Sequence, residues 1–425
     1  MKAAEISSVM AWEALDSRGR PTVGCRVVLA GGATGRALAP SGASTGGHEA
    51  IEVRDGGERY AGYGTRRAIA NLTDILTPAV IGLDATDTEG VDAALEAVDE
   101  DPLLGGVGAN AVLAVSLAST IAAAAAVGTP LFRFLGGNEP ALPMPMVNII
   151  SGGAHAAGAL DIQDVLVVPM GATTFTEALE WASRARAGTA EVLRERGFST
   201  ALVADEGGLS PTLGTNEEAL AAVVDGIART GLTPGVDVAI AIDIAANQFW
   251  DGTEYRLNLD DLRLTPGAWL DMLRSWCARY PIVSLEDILT EDDWGGWRTA
   301  TSVLGESRQI LGDDLFATNI SRLDHGIQAS VANAVLVKPN QAGTLSRAKN
   351  VLLRAKSRGY ATVVSARSGD TEDDWLADVA VGWNSGQIKV GSTMRSERTA
   401  KWNRLLEIEA LDGSHITFAK PDGWA

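Results

Sequence analysis

The sequence is poor in cysteine and in positive charge. Its 425 residues include only two cysteines, Cys25 and Cys277, which are far apart and belong to no C-x-x-C motif or His/Cys array. This pattern argues against a disulfide scaffold and against a structural zinc site. The 35 lysines and arginines face 54 aspartates and glutamates, which gives a net charge of −19. Because so acidic a chain is repelled by phosphodiester backbones, we expect no nucleic-acid partner.

The sequence also lacks a long, strongly hydrophobic run. The longest apolar stretch, residues 111–127, is mostly alanine and is interrupted by Ser116, Ser119 and Thr120. It is short and weakly hydrophobic for a bilayer span, so it predicts a packed interior helix and no membrane partner. The N-terminal residues lack the apolar core of a signal peptide, and we therefore expect a cytoplasmic protein.

Apolar residues, in contrast, make up 46% of the chain and can bury a sizeable core. Segments that alternate like β-strands come first, and helical patterns follow over residues 65–127. Strands followed by helices, without alternation between them, are typical of a separate α+β domain. Turn formers at residues 136–140 predict a boundary, so we expect domains at residues 1–136 and 137–425. The strand segments are residues 5–15, 22–29 and 34–39.

Beyond this boundary a pattern of short apolar runs repeats. Each run ends in or near a polar or charged residue, and helical stretches separate most of them. Eight such strands separated largely by helices predict an α/β fold, a (β/α)₈-type barrel in place of a doubly wound sheet. The runs are residues 161–168, 201–206, 238–243, 282–286, 309–313, 334–338, 361–365 and 387–390.

The residues that end these runs form a candidate site. In a β/α barrel the catalytic groups lie at the C-terminal ends of the strands. Any single charged residue there is more often a solvated strand end than a ligand, but the whole set is a much stronger signal. The set includes Gln163, Asp164, Asp205, Glu206, Asp243, Glu286, Asp287, Asp313, Asp314, Lys338, Arg367 and Lys389.

Three carboxylates on successive strands, Asp243, Glu286 and Asp313, would converge at the barrel mouth. Unpaired anions at that point would repel one another strongly. A divalent cation removes the conflict, and a ligand set without histidine or cysteine favours Mg²⁺ or Mn²⁺ over zinc. The sequence therefore predicts a metal site here.

Lys338 ends the next run and is a candidate base. Beside a metal ion and another cation, in an apolar barrel, the pKa of its ammonium should be lowered. It could then act near neutral pH and, with Glu206 across the site, remove a proton α to a carboxylate while the metal holds the dianion. The alternative is that Lys338 only forms a salt bridge to one of the carboxylates.

Arg367 and Ser368 precede an acidic helix and can offer a guanidinium and a hydroxyl to a phosphate or phosphonate. Lys389 supplies another positive charge, so we expect a small anionic substrate. The alternatives are that Arg367 pairs with Glu372 or Asp373 and that Lys389 is an exposed strand end. Two small-residue loops that can close over such a ligand are residues 41–47 and 151–158.

Ordered motifs along the whole chain resemble those of the enolase family. The resemblance implies an N-terminal α+β capping domain on an enolase-type β/α barrel, a homodimer, and two Mg²⁺ ions held by Asp243, Glu286, Asp313 and, for the second ion, Ser44. It also implies Lys338 as base and Glu206 as general acid, and it places the substrate on His155, Gln163, Arg367, Ser368 and Lys389. The motifs are LDSRGRPTV at 15–23, PSGASTG at 40–46, DEGG at 205–208, SLED at 284–287, GDDL at 312–315, RSGDTED at 367–373, GQIK at 386–389 and RSER at 395–398.

Among the departures from the family pattern, two concern the phosphate and leaving-group ends of the site. Ala366 stands between Ser365 and Arg367, where enolases have a histidine. Asp164 replaces a glutamate that assists departure of the leaving group in enolases. The missing methylene withdraws this catalytic carboxylate by roughly 1.5 Å, and a displacement of about that size can cost on the order of 10²-fold in rate. The phosphate and leaving-group sides have therefore changed, whereas the metal ligands and Lys338 have not.

This asymmetry leads us to expect an enzyme that acts on a 2-phosphoglycerate-like or phosphoenolpyruvate-like substrate through a metal-stabilised enolate. We expect it to have diverged to phosphonate metabolism, similar to a carboxyphosphonoenolpyruvate synthase. One alternative is an ordinary phosphopyruvate hydratase that converts 2-phosphoglycerate to phosphoenolpyruvate. A second alternative is a non-catalytic binding protein on an enolase scaffold.

Overall fold

The computed structural model describes residues 2–43, 46–136 and 140–420. Its N-terminal part begins with an antiparallel sheet in the order β1-β2-β3. The strands agree closely with the alternating segments of the sequence, because one face of each packs on the core while the other is more exposed. They are β1 Ile6–Leu15, β2 Pro21–Leu29 and β3 Thr34–Leu38.

Helices cover this sheet, as the sequence predicts. The central one, α4, packs against β2 and β3 and is buried over most of its length. It is long and apolar enough to cross a membrane, but 83% of it is buried inside the protein, which confirms the predicted interior helix. The helices of this part are α1 Arg66–Asn71, α2 Thr77–Val80, α3 Thr88–Glu96, α4 Ala109–Ala126 and α5 Leu131–Gly136.

The second part is a closed eight-stranded barrel in the order β5-β6-β7-β10-β11-β12-β13-β14. Strand β6 runs antiparallel to both β5 and β7, and the other pairings are parallel. The fold class predicted from the sequence is confirmed. The barrel strands are β5 Met144–Ser151, β6 Asp164–Val168, β7 Ala239–Asp243, β10 Ile282–Glu286, β11 Gln309–Gly312, β12 Ala334–Val337, β13 Ala361–Ser365 and β14 Gln387–Gly391. Outside the barrel, β4 Ala141–Leu142 pairs with β15 Thr417–Phe418, and β8 Tyr255–Leu257 pairs with β9 Leu262–Leu264.

One predicted barrel strand is wrong. Residues 201–206 form a loop in which Val203 makes only an isolated bridge to Leu209. The eighth place in the barrel belongs to β5, which is buried throughout and contains Pro145. Pro145 and Asn148 interrupt the apolar run of β5, and a proline within a run weakens the sequence signal of a barrel strand.

Helices follow most barrel strands and surround the barrel. Several begin with a side-chain cap; in α7, for example, the Thr215 hydroxyl accepts a hydrogen bond from the Glu218 amide. The predicted domain boundary at 136–140 includes residues outside the described part and stays a prediction. The helices are α6 Phe175–Glu195, α7 Asn216–Arg229, α8 Pro266–Arg279, α9 Trp294–Leu304, α10 Ile320–Ala329, α11 Pro339–Ala342, α12 Leu345–Lys356, α13 Trp375–Gly382 and α14 Ser396–Asp412.

Candidate active site

A cavity at the C-terminal ends of the barrel strands gathers most of the residues singled out in the sequence. Loop residues from the N-terminal part close it from above. Its lining comprises Gly42, Ala43, His155, Gln163, Glu206, Asp243, Asp313, Lys338, Ser365, Ala366, Arg367, Ser368 and Lys389.

Lys389 on β14 crosses the barrel mouth to two carboxylates on neighbouring strands. Its Nζ lies 2.6 Å from Asp243 Oδ2 and 2.8 Å from Glu286 Oε2. Asp243 and Glu286 end β7 and β10 and are paired in register. Burial alone would lower the pKa of Lys389, but these carboxylates raise it well above its usual value. Lys389 is therefore a buried ion-pair partner, and the alternative of an exposed strand end is wrong.

Lys338 hydrogen-bonds Asp313. Burial alone would lower the pKa of Lys338, but the Asp313 carboxylate outweighs it and the pKa is raised. The expectation of a lowered pKa applies to Lys338 beside a bound metal ion and stays a prediction. Asp313 Oδ1 also accepts a hydrogen bond of 2.9 Å from Gln341 Nε2. Thr318 Oγ1 donates to the side-chain oxygen of the same glutamine, Gln341 Oε1, at 2.6 Å. The carboxylate is held from two sides.

The carboxylates of this mouth suit a hard divalent cation. Asp243 Oδ1 is buried and has no hydrogen-bond partner among the described residues, so one ligand-competent oxygen is left over. Burial and the nearby Asp243 charge raise the pKa of Glu286 well above its usual value. Asp243, Glu286 and Asp313 face two lysine ammonium groups, and the raised pKa of Glu286 reflects a repulsion between carboxylates that a bound cation would relieve.

Asp313 also belongs to a second acidic group. Oxygen atoms of Asp287, Asp313 and Asp314 lie within 4.8 Å of one another. Asp287 has φ +44° and accepts hydrogen bonds from the Asp313 amide at 3.0 Å and the Asp314 amide at 2.8 Å. Burial and the Asp313 charge raise the pKa of Asp314 to about 7. Because both oxygens of Asp287 accept backbone hydrogen bonds, Asp287 stabilises the loop that follows β11.

Glu206, His155 and Asp164 form a chain on the other side of the cavity. His155 Nδ1 lies 2.8 Å from Asp164 Oδ2, and His155 Nε2 lies 3.8 Å from Glu206 Oε1. Burial would lower the pKa of His155, but Asp164 and Glu206 raise it to about 9. Asn148 Nδ2 donates to the other oxygen of Asp164. The shortened carboxylate at 164 therefore still touches the histidine.

Gln163 connects this chain to the carboxylate side. Its Nε2 donates to Asp243 Oδ2 at 2.9 Å, and its Oε1 accepts a hydrogen bond of 2.6 Å from Gln248 Nε2. Gln248 Oε1 in turn accepts from the Ala154 amide at 2.9 Å. The loop at 151–158 is thereby tied to the barrel mouth.

Arg367 is buried and turns toward the N-terminal part. Its Nη1 donates to Glu49 Oε2 at 2.7 Å and to Asn340 Oδ1 at 3.1 Å. The expected alternative partner Asp373 instead pairs with Arg36 at 3.0 Å. The Glu49 charge outweighs burial and raises the pKa of Arg367.

Ser368 links the barrel to the first small-residue loop, because its Oγ accepts a 2.6 Å hydrogen bond from the Ala43 amide. Ser44, predicted as a ligand of a second metal ion, lies outside the described residues. Ala366 is buried and lines the cavity beside Arg367.

Sequence reasoning missed several polar residues of this region, among them Glu49, Asn148 and Gln341. Glu49 accepts from Arg367 and lies 3.3 Å from Gln341 Nε2, although it is 292 residues away from that glutamine. Asn148 lies within β5, the strand that was not predicted. No local pattern marks such long-range partners.

Comparison with known proteins agrees with this architecture. Two family models match, "Enolase, N-terminal domain" over residues 6–135 and "Enolase, C-terminal TIM barrel domain" over residues 139–422. A curated relative named "Enolase", from Acidothermus cellulolyticus, is 49% identical over 408 residues, which cover 96% of this chain and 94% of the relative.

Proposed function

This chain belongs to the enolase family, and we propose that it is a phosphopyruvate hydratase, a lyase that removes water from 2-phosphoglycerate to give phosphoenolpyruvate. The observation that carries the proposal is the pairing of a lysine with a carboxylate cluster on one side of the cavity and of a glutamate with a buried histidine on the other. The 49% identical relative supports this reaction in preference to a specialised phosphonate synthase.

In this proposal Lys338 takes the proton from the carbon next to the substrate carboxylate, and Glu206 protonates the departing hydroxyl. One C–H bond and one C–O bond break, a C=C bond forms, and water leaves. Lys338 and Glu206 line the same cavity, as an acid and a base on one substrate require. His155 and Asp164 orient Glu206 through the contacts described above and keep that end of the cavity charged.

Asp243, Glu286 and Asp313 would hold Mg²⁺, and Ser44 would reach a second ion. When bound, the metal supplies Lewis-acid stabilisation of the negative charge that develops on the substrate carboxylate. Asp313, once it serves as a ligand, offers less negative charge to Lys338, so the pKa of Lys338 falls toward the value that a base needs. Arg367, Ser368, Lys389 and Gln163 would hold the substrate phosphate and carboxylate.

A second candidate is a related enolate reaction on a phosphonate-bearing partner, of the carboxyphosphonoenolpyruvate synthase kind. The observation that favours it is Ala366, whose methyl group lines the cavity where the family pattern has an imidazole. A methyl group at this position would obstruct a bulkier anion less than an imidazole would. A non-catalytic role is disfavoured because the acid, base and carboxylate positions all retain reactive residues.

We also propose that the chain forms a homodimer, and sedimentation would measure the mass of that assembly. The cytoplasmic location stays a prediction.

The test is an assay of 2-phosphoglycerate with Mg²⁺ that follows the absorbance of the enol product. We expect turnover of about 10 s⁻¹ or more, lost on chelation of the metal and restored on its return. The variant Ala366→His separates the two candidates. If the wild-type chain is a hydratase that tolerates Ala366, its turnover of 2-phosphoglycerate should change little in this variant. No dehydration by the wild-type chain, with activity gained in Ala366→His, would overturn the hydratase and favour the phosphonate reaction.

A further inference from the structure

A second cavity, of about 520 Å³, lies at the opposite end of the barrel from the catalytic mouth. Gln309, Ala361 and Gln387, which begin β11, β13 and β14, contribute to its wall. The C-terminal segment contributes Ala419 and Lys420. We call this cavity the basal pocket. Its volume is in the range that holds small organic ligands.

The charge of the basal pocket is opposite to that of the whole chain. Its lining includes the cations Arg308, Lys356 and Lys420 and one carboxylate, Glu306. In a protein of net charge −19, three cations around one cavity create a local positive field. That field selects for anions.

Arg308 and Lys356 retain capacity for an anion. Arg308 Nη1 donates to Ser307 Oγ at 2.8 Å and Nη2 to the Cys277 carbonyl at 2.9 Å, and each of these two nitrogens carries a second N–H group. Lys356 hydrogen-bonds the carbonyl of Asn384, and burial lowers the pKa of its ammonium. The second N–H groups of Arg308 and the remaining protons of the Lys356 ammonium can therefore donate to an anion.

The floor and rim of the basal pocket are held in place. The side-chain amides of Gln309 and Gln387 hydrogen-bond each other at 2.6 and 3.1 Å and are buried. The Ala419 amide donates to the Leu142 carbonyl at 2.8 Å, which fixes the segment that carries Lys420. The cations therefore surround a cavity whose walls already exist, so binding requires little reorganisation.

We propose that the basal pocket binds a small organic anion that carries a phosphate group, with Arg308, Lys356 and Lys420 as its cationic contacts. Among the described lining residues, three cations against one carboxylate leave a surplus of two positive charges. A phosphate monoester carries a charge of about −1.5 to −2 near neutral pH, which matches this surplus. The volume beyond the phosphate accommodates an organic portion. This site is separate from the catalytic cavity and does not depend on the proposed reaction.

Calorimetric titration with glycerol 3-phosphate, with glycerol as the uncharged blank, tests this site. We expect two binding phases, of which Ser368→Ala weakens the catalytic one. The double variant Lys356→Gln/Lys420→Gln should weaken the other phase by about tenfold or more, since it loses two charged hydrogen-bond donors. Its turnover of 2-phosphoglycerate should equal that of the wild-type chain.

The matched control is Lys349→Gln on the same helix, α12, whose ammonium also lies near a carbonyl, that of Leu135 at 3.4 Å, and which does not line the pocket. This variant should retain both phases. The proposal is overturned if the double variant gives the wild-type isotherm, or if the wild-type chain shows a single phase that Ser368→Ala removes. Citrate binding as tightly as glycerol 3-phosphate in the same phase would contradict the preference for phosphate.

Discussion

At the scale of single residues, the chain Glu206–His155–Asp164 shows how burial and charge set protonation in the site. His155 lies between two carboxylates, 2.8 Å from Asp164 and 3.8 Å from Glu206. Since the pKa of His155 is raised to about 9, the imidazolium is the form that faces Glu206 at neutral pH. The contact of 3.8 Å therefore places a cation beside Glu206, the proposed general acid.

Replacing Asp164 with Asn should lower the pKa of His155 toward its ordinary value, because one of the two nearest charges is removed. The chain has only four histidines, so their proton resonances can be assigned and titrated by NMR. In the wild-type protein the folded pKa of about 9 exceeds the unfolded value, so the contribution of the pair to stability is complete below about pH 6.5 and is lost as the pH rises through 9. Asp271→Asn, an exposed change on α8, is the control. An unchanged titration in Asp164→Asn would show that Asp164 does not set this pKa.

At the scale of elements, the loop after β11 depends on one aspartate that follows β10. Asp287 accepts two backbone hydrogen bonds, from the Asp313 and Asp314 amides, and thereby fixes the proposed metal ligand Asp313. The sequence could point to Asp287 as a polar strand end, but it could not tell a ligand from a residue that holds the loop. That distinction depends on where the amides of another strand point.

The variant Asp287→Ala should lower the free energy of unfolding by about 2 to 5 kcal/mol, since two buried N–H groups lose their acceptor. Asp287→Asn keeps one acceptor oxygen and tolerates the positive φ of this position, so it should cost about half as much. Urea denaturation measures both. Equal losses in the two variants would mean that these hydrogen bonds contribute little.

The barrel strands show which elements can be predicted from the sequence and which cannot. Seven of the eight predicted runs overlap barrel strands, because each combines a buried apolar segment with a polar end. The loop at 201–206 also has that pattern, since it carries Glu206 into the site without joining the sheet. Strand β5 was not predicted, because Pro145 and Asn148 interrupt its apolar run.

At the scale of the whole molecule, the N-terminal part docks on the barrel through buried polar contacts. Asp92 on α3 accepts a 2.9 Å hydrogen bond from the amide of Ser346, in the first turn of α12. The Arg367–Glu49 ion pair joins the same two parts nearer the catalytic cavity. Neither pair could be predicted from sequence, because the partners are more than 250 residues apart and no periodicity connects them.

The docking contact of Asp92 predicts a pH dependence of stability. Burial raises its pKa to about 6, so between about pH 4 and 6 the folded state holds a proton that the unfolded state has released. Stability from this group is therefore complete below pH 4 and falls by about 3 kcal/mol as the pH rises past 6. Asp92→Asn should remove this part of the profile. Unfolding curves of the two proteins that stay parallel from pH 4 to 7 would contradict the assignment.

The central claim is that Lys338 removes a proton from the carbon next to the substrate carboxylate. The most direct measurement is exchange of that proton into deuterated water, followed by NMR on 2-phosphoglycerate with Mg²⁺ present. The account predicts exchange by the wild-type chain and by Lys349→Ala, and a fall of about 10²-fold to 10⁴-fold in Lys338→Ala. Exchange at the wild-type rate in Lys338→Ala, with the protein folded, would contradict it.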